Sequence, residues 1–405
     1  MKILHTSDWH LGHRLMEQSQ QEDQSRFLDW LLEYIRQNAI DVLLVSGDIF
    51  DTGVPSSQGQ KLYYDFLIHL RETCCQQVVI TGGNHDAPST LNAPRELLQA
   101  LSIHVTGKAT EPIEQEIFKL SVKGEGIIIA AVPYLRDQDI RRAIASESFE
   151  EINNRYKTAL INHYTEVADS CMSIKTDDIP VIAMGHLFAL GGSTSESEQT
   201  IYVGNLGDIG AGDFPEAFDY VALGHLHKAQ VVGGMEHIRY CGSPYMLSFS
   251  EIGTDKKVVV LETSKGKILK IDEVTVPRFR NICRVSGTVE ECILRLKEID
   301  AGFLELTPWV EVILEDENEL AFEFKEINKA AEPLKLEVLK VTLKNEHRRE
   351  GLERLVANAK DIKEITPEEV FRLKCTEQEY DLKDHPDMLN AFFEMLQLVQ
   401  ENDNA

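Results

Sequence analysis

Asp41-Val-Leu-Leu-Val-Ser-Gly-Asp48 is an apolar run that stops at a glycine and a carboxylate. A stretch rich in Val and Leu, without polar alternation, suits a strand covered on both faces. In sheets built of such strands, ligands gather just beyond the carboxyl ends. The same grammar recurs in Lys2-Ile-Leu-His-Thr-Ser-Asp8-Trp-His10, Val78-Val-Ile-Thr-Gly-Gly-Asn84-His85-Asp86, Pro180-Val-Ile-Ala-Met-Gly-His186 and Tyr220-Val-Ala-Leu-Gly-His225-Leu-His227. Each runs an apolar segment into Asp, Asn or His. The expectation is that five strand ends deliver oxygen and imidazole donors to one edge of a sheet.

The chain has 405 residues, too long for one ordinary core, so two or three domains are expected. An apolar fraction of 43% supports a sizeable core, and no apolar run is long enough to span a bilayer. A soluble protein is expected. The chain opens directly on a strand-like pattern, with no secretory leader in view. Seven scattered cysteines, with only Cys74 and Cys75 adjacent, indicate reduced thiols and a cytoplasmic setting. The net charge of -26, from 41 basic and 67 acidic residues, points away from nucleic acid if taken alone. Any affinity for DNA must come from a local groove, bound cations or a basic partner.

Residues 1 to about 275 alternate strand and helix. Gln24 to Gln37 carries Phe27, Leu28, Leu31 and Ile35 on a broad apolar face, and a second helix near Gln58 to Glu72 turns Leu62, Tyr63, Phe66 and Leu67 inward. This β-α-β-α-β start indicates a layered α/β domain. A strand near Gly126 to Pro133 and a polar helix near Glu150 to Asp169 follow. Gly191 to Glu198 is a small-residue loop, readable either as a rim of the site or as a plain connector. Beyond Pro277 a β-α-β-α-β unit is expected: strands over Cys283 to Val285, Trp309 to Leu314 and Leu334 to Leu343, and helices after Thr288 and over Leu320 to Ala331. From about residue 347 the chain is charged and helical. Thr366-Pro-Glu-Glu369 offers a helix start, and Pro386 opens a helix with Met388, Leu389, Phe392, Phe393, Leu396 and Val399 on one face, suited to its own core or to a partner's groove.

Asp, His and Asn are donors for borderline-hard divalent ions, and the absence of cysteine from these motifs argues against a structural zinc site. Asp8 and His10 stand two apart, as do His225 and His227; at a strand end residues i and i+2 point the same way, so each pair could hold one ion. An aspartate at a central strand end can bridge two ions about 3.5–4 Å apart, the spacing that clamps a phosphoryl group. Asp48 is the candidate bridge. Singly, any of these motifs is common as a turn or helix cap; the ordered set of five is what points to metal.

That set resembles the calcineurin-like metallophosphoesterases, whose pattern runs D-x-H, G-D-x-x-D, G-N-H-D, G-H and G-H-x-H. Ile3-Leu-His-Thr-Ser-Asp-Trp-His-Leu-Gly12, Ser46-Gly-Asp-Ile-Phe-Asp-Thr-Gly53, Ala222-Leu-Gly-His-Leu-His227 and Met235-Glu-His-Ile-Arg-Tyr-Cys-Gly-Ser-Pro244 are similar, in particular, to the DNA-nuclease subunits of this superfamily in bacteria. The resemblance covers nearly the full chain. It implies an α/β four-layer sandwich of two central sheets flanked by helices (residues 1–276), a small α/β cap domain (277–346) and C-terminal helices that bind the ATPase partner (347–405).

On the residues, the resemblance implies one ion held by Asp8, His10, Asp48 and His227 and another by Asp48, Asn84, His186 and His225. The ions would be Mn²⁺, with Mg²⁺ as the alternative. His85 would help the leaving oxygen depart, and Asp51 and Asp86 would orient ligands. Archaeal and eukaryotic relatives carry a second histidine where this chain has Asp51, which puts a proton role for that position in doubt. The implied assembly is a homodimer within a heterotetramer whose other subunit is an ABC-type ATPase with a long coiled coil. The implied activity is ATP-dependent 3′-5′ exonuclease on double-stranded DNA and endonuclease on single strands and hairpins, in replication, recombination and repair. No G-x-x-x-x-G-K-[ST] segment occurs, so ATP dependence has to come from outside the chain. A general phosphoesterase acting on small phosphodiesters would share every ligand; a non-catalytic scaffold would not need them.

Overall fold

A computed structural model describes residues 1–136, 139, 149–189, 209–300, 306–315 and 320–344. Its strands are β1 Lys2–Thr6, β2 Arg14–Leu15, β3 Gln18–Ser19, β4 Val42–Ser46, β5 Gln77–Thr81, β6 Ile103–Thr106, β7 Ile117–Val122, β8 Glu125–Ala131, β9 Val181–His186, β10 Tyr220–Gly224, β11 Gln230–Val232, β12 Met235–Tyr240, β13 Lys257–Ser264, β14 Lys267–Thr275, β15 Arg280–Gly287, β16 Leu306–Leu314 and β17 Glu337–Leu343. Two six-stranded sheets form the centre, in the orders β14-β13-β1-β4-β5-β6 and β11-β12-β10-β9-β8-β7. Strands β1, β4, β5 and β6 run parallel, as do β8, β9, β10 and β12.

The unbroken apolar runs follow from this layering. In β4, Val42 and Leu44 enter the core between the sheets, while Leu43 and Val45 enter the core under the outer helices. In β9, Ile182 and Met184 face the other sheet, and Val181 and Ala183 face the opposite helix. Helices α1 Gln21–Asn38 and α2 Ser57–Leu70 cover the first sheet with Phe27, Leu28, Leu31, Ile35, Tyr63, Phe66 and Leu67. The short α3 Pro88–Asn92 and α4 Arg95–Gln99 join them on the same side, and α5 Phe149–Ile174 covers the second sheet. The order helix, sheet, sheet, helix is the four-layer sandwich. α5 reads as polar in sequence because only one stripe, Tyr156, Leu160, Tyr164, Val167, Ala168 and Cys171, is buried.

One expectation fails here. The five motifs do not share one sheet edge: three leave β1, β4 and β5 of the first sheet, and two leave β9 and β10 of the second. The sheets are stacked, and the intersheet core of Ile3, Val42, Leu44, Val79, Ile182, Met184, Tyr220 and Ala222 fixes their relative position. Covering a Leu, Ile or Val side chain fully contributes about 1.5–3 kcal/mol, so this layer alone strongly resists sliding of one sheet over the other.

The unit after residue 277 is a parallel sheet in the order β15-β16-β17, with α6 Val289–Asp300 and α7 Leu320–Ala331 as crossovers. Thr288 opens α6: its Oγ1 accepts from Glu291 N at 3.4 Å, and Glu291 Oε2 accepts from Thr288 N at 3.0 Å. Leu336, Val338 and Val341 all enter its core although their spacing breaks strict alternation. A bulge, Val310 pairing with Val338 and Glu311 with Lys340, supplies the extra residue and turns Leu339 to the other side. Gly191 to Glu198, Thr366 to Glu369 and the stripe from Met388 to Val399 lie outside the described residues. The six described cysteines are free thiols. No helix among the described residues is long and apolar enough to cross a membrane.

Candidate metal centre

The site is built where β1 and β4 end. Beyond Thr6 the chain is held to the β4 loop by Asp8 N to Gly47 O at 3.1 Å, His10 N to Asp48 O at 2.9 Å and Leu11 N to Ile49 O at 2.9 Å. Asp8, His10 and Asp48 have φ of 52°, 42° and 48°, and His225 has φ of 104°. Left-handed backbone at non-glycine residues costs free energy that the surrounding structure has to supply, and it clusters at functional sites. The convergence of Asp8 with His10 is therefore a property of these loops, not of the strand alternation expected from their spacing. The glycines permit close approach. A Cβ at Gly83 would overlap Asp48 Oδ1, and one at Gly224 would overlap Ser46 O.

Two buried clusters result, Asp8 with His10 and His227, and Asp48 with His186 and His225, each with donor atoms within 4.8 Å of one another. Asn84 joins the second, its Oδ1 3.0 Å from His186 Nε2 and 3.1 Å from His225 Nδ1. Asp48 Oδ2 stands between the clusters, 3.1 Å from His186 Nε2 and 3.6 Å from His10 Nε2. The clusters are also tied directly, His225 N donating to Asp8 Oδ1 at 2.9 Å. All seven residues expected as ligands are thus brought together.

The donor set fits a cation. His10 Nε2 is buried without a hydrogen-bond partner, an arrangement that costs free energy unless a cation takes its lone pair, while Nδ1 faces Asp51 Oδ1 at 3.4 Å. Burial pushes His10 down, His225 down to about 3 and His227 down to about 4, leaving neutral imidazoles, the form that binds metal. Burial, opposed by the His186 charge, pushes the Asp8 carboxyl up to about 7. Burial also pushes at Asp48, but the charge of His186 and its hydrogen bond, with His10 and His85, hold that carboxyl well below its usual range. His186 responds inversely: burial lowers it, yet the Asp48 charge carries it up to about 9. His186 Nδ1 donates to Ser46 O at 3.0 Å, which orients Nε2 into the site.

The supporting residues are as informative. Asp86 accepts from Gly83 N at 2.9 Å, Ile49 N at 3.1 Å and Phe50 N at 3.0 Å, so it clamps the two loops that carry Asn84 and Asp48. His85 is half-buried; its backbone N donates to Asp48 Oδ1 at 2.9 Å and its Nδ1 to Asp51 O at 2.7 Å. Asp51 Oδ1 lies 3.4 Å from His10 Nδ1 and 2.8 Å from His13 Nδ1, and His13 Nε2 donates to Leu247 O at 3.1 Å. Glu251 Oε1 lies 3.6 Å from His227 Nδ1, while the buried Lys256 bonds Glu251, Ser243 Oγ at 2.7 Å and His227 O at 3.1 Å. Sequence reasoning missed His13, Glu251 and Lys256. His13 was within reach, three residues after His10 in the same motif; Glu251 and Lys256 carry no local pattern. Lys2 and Arg14, although near motifs, pair with Glu262 and Glu17.

Residues 1–229 match the calcineurin-like phosphoesterases, the class that this sandwich and donor set define. Residues 278–379 match the type 5 capsule protein repressor C-terminal domain. The SbcD component of the SbcCD nuclease from Escherichia coli K12 is 35% identical over 384 residues, 94% of this chain and 94% of its own. Its counterpart from Bacillus subtilis is 28% identical over 410 residues, covering both chains completely, and that from Rhodobacter capsulatus 35% over 277 residues, 66% of this chain and 67% of its own. The chain belongs to the SbcD family of calcineurin-like phosphoesterases.

Proposed function

We propose that this chain is a metal-dependent nuclease that hydrolyses DNA phosphodiesters at the centre formed by the two clusters. The observation that carries the reading is Asp48 Oδ2 between His186 and His10, one carboxylate shared by two donor sets. Asp8, His10, Asp48 and His227 would hold one divalent ion, and Asp48, Asn84, His186 and His225 the other. Bound there, such ions neutralise phosphate charge and lower the pKa of water. Mn²⁺ is the ion proposed, with Mg²⁺ as the alternative.

The chain's own groups supply the rest. His85 commits Nδ1 to Asp51 O, leaving Nε2 as the nitrogen that exchanges a proton with the departing oxygen. Asp51 orients His10 through its carboxylate and His85 through its carbonyl, a use that needs no proton transfer. Asp86 keeps the Asp48 and Asn84 loops in register.

The family resemblance supports the finer reading: cleavage as a 3′-5′ exonuclease on double-stranded ends and an endonuclease on hairpins and single strands, made ATP-dependent by an SbcC-type ABC ATPase with a coiled coil. The proposed assembly is a cytoplasmic heterotetramer containing two copies of this chain. The proposed division is a phosphoesterase domain over 1–276, a cap over 277–346 and partner-binding helices over 347–405. The competing reading is a general phosphoesterase for small diesters. The deciding experiment presents a labelled hairpin-ended duplex, beside a small chromogenic phosphodiester, to the purified protein with Mn²⁺ and with Mg²⁺. Metal-dependent DNA cutting that disappears in Asp48→Ala is expected. Turnover of the small ester alone, unchanged when ATPase partner and ATP are added, would refute the nuclease reading.

A further inference from the structure

A groove lies beside α3, just beyond the loop that carries His85 and Asp86. It encloses about 410 Å³ between Pro88, Ser89, Asn92, Lys108, Arg136 and Asp139. Through Asn92, Lys108 and Asp139 it opens into a wider groove of about 840 Å³ that reaches Arg95 and His163.

Arg136 sits at the junction. Its Nη2 donates to Asp86 O at 2.7 Å and its guanidinium lies 5.7 Å from the Tyr134 ring, which in turn meets the His186 ring edge-on at 6.2 Å. One end of this guanidinium is thus fixed to the loop behind Asn84. Its Nη1 is buried and has no hydrogen-bond partner. A buried unpartnered donor on a cation is costly, and an anion arriving in the groove would satisfy it. Lys108 is exposed and makes no ion pair among the described residues. The narrower groove carries two cations, Arg136 and Lys108, against one carboxylate, Asp139, while the wider one adds Arg95 together with Glu111 and Glu166. In a chain of net charge -26, the narrower groove is where a polyanion can approach.

We propose that Arg136 and Lys108 form a backbone-phosphate subsite that takes a phosphate of the DNA strand next to the one being cleaved, with the strand leaving along this groove. The proposal rests on the nuclease reading. It explains how an acidic subunit can tell a polynucleotide from a small diester: an ester with one phosphate reaches the metals but has nothing to place against Arg136 and Lys108.

The test uses the full chain, with wild type, Arg136→Gln, Lys108→Gln and the double variant, and with Lys265→Gln in the β13–β14 turn as control. Binding of a fluorescent 20-nucleotide single strand is measured by anisotropy over a salt series, and cleavage of that strand and of the chromogenic diester is measured with Mn²⁺. In the double variant Kd is expected to rise about 10-fold, and the slope of log Kd against log salt to flatten by about 1. The ratio of kcat/KM for DNA to that for the diester is expected to fall by a similar factor, with Lys265→Gln matching wild type. Because Arg136→Gln loosens the tie to Asp86, Lys108→Gln alone must show the weaker binding in part. A wild type that cuts DNA, with variants equal to it in Kd, slope and ratio, overturns the subsite and leaves the nuclease reading intact. A wild type that turns over the diester but neither binds nor cuts DNA, with or without the ATPase partner and ATP, overturns both.

Discussion

At the scale of single residues, His85 and the ligands around it should separate cleanly. His85 touches Asp48 through its backbone N, and its ring is held by Asp51 O, so removing the imidazole leaves every donor proposed to hold an ion in place. His85→Ala is expected to keep two bound ions by calorimetry or elemental analysis while DNA cleavage falls about 10²–10⁴-fold, the scale of a lost general acid or base. Loss of both ions in that variant would refute the role. The seven candidate donors that the structure brings together were legible because Asp, Asn and His after apolar runs make an ordered pattern that chance rarely produces. What could not be read was how they converge. The left-handed φ of Asp8, His10 and Asp48 is a tertiary property, imposed by hydrogen bonds between the loop after β1 and the loop after β4. Spacing alone suggested strand alternation, a simpler geometry with the same outcome.

At the scale of elements, the segment from Ser243 to Lys256 links parts of the molecule that look unrelated in sequence. Glu251 orients His227 at one end, while Phe249 packs with Ile282 and Trp309 of the small unit, and Phe249 O accepts from Arg284 Nη2 at 3.3 Å. A carboxylate beside a ligand imidazole fixes its ring and raises its basicity, and losing such a partner typically costs 10–100-fold in metal affinity. Glu251→Gln is expected to weaken one ion by that factor and leave the other near wild type, read as two separated isotherms in a titration with Mn²⁺. Equal weakening of both, or of neither, would count against the assignment. No motif reveals this segment. The strand and helix pattern was legible in long periodic stretches such as α1 and α7, and was missed in the hairpin of β13 and β14, which is placed by the pairing of β13 with β1, more than 250 residues away in sequence.

At the scale of the whole molecule, the question is how the small unit is held to the sandwich. The segment after residue 347 is a separate matter: a chain ending near Glu350 is expected to lose binding to the proposed ATPase partner while keeping metal-dependent cleavage, and unchanged partner affinity in a pull-down would sink that expectation. The junction itself centres on Arg280. Its guanidinium stacks 3.9 Å from the Trp309 ring centre, its Nε donates to Asp23 Oδ2 of α1 at 2.9 Å, and its Nη1 donates to Thr307 O at 2.6 Å. Both charges are nearly excluded from water, with side chains 4% and 5% exposed. Burial pushes the Asp23 carboxyl up and Arg280 only partly opposes this, so the pair secures orientation more than stability. Breaking it one-sidedly is another matter, since Arg280→Met strands a buried carboxylate and is expected to cost about 3–5 kcal/mol. The loss should fall on the junction, giving faster hydrogen exchange in β15 and β16 with β4 and β9 unchanged. Adding Asp23→Asn removes the stranded charge and should recover more than half of the loss, because an uncharged junction still has Leu15, Met246, Phe249, Ile282 and Trp309 to bury. If the double variant is no more protected than Arg280→Met, the apolar contacts are not what seats the unit, and the charge pair is its principal anchor.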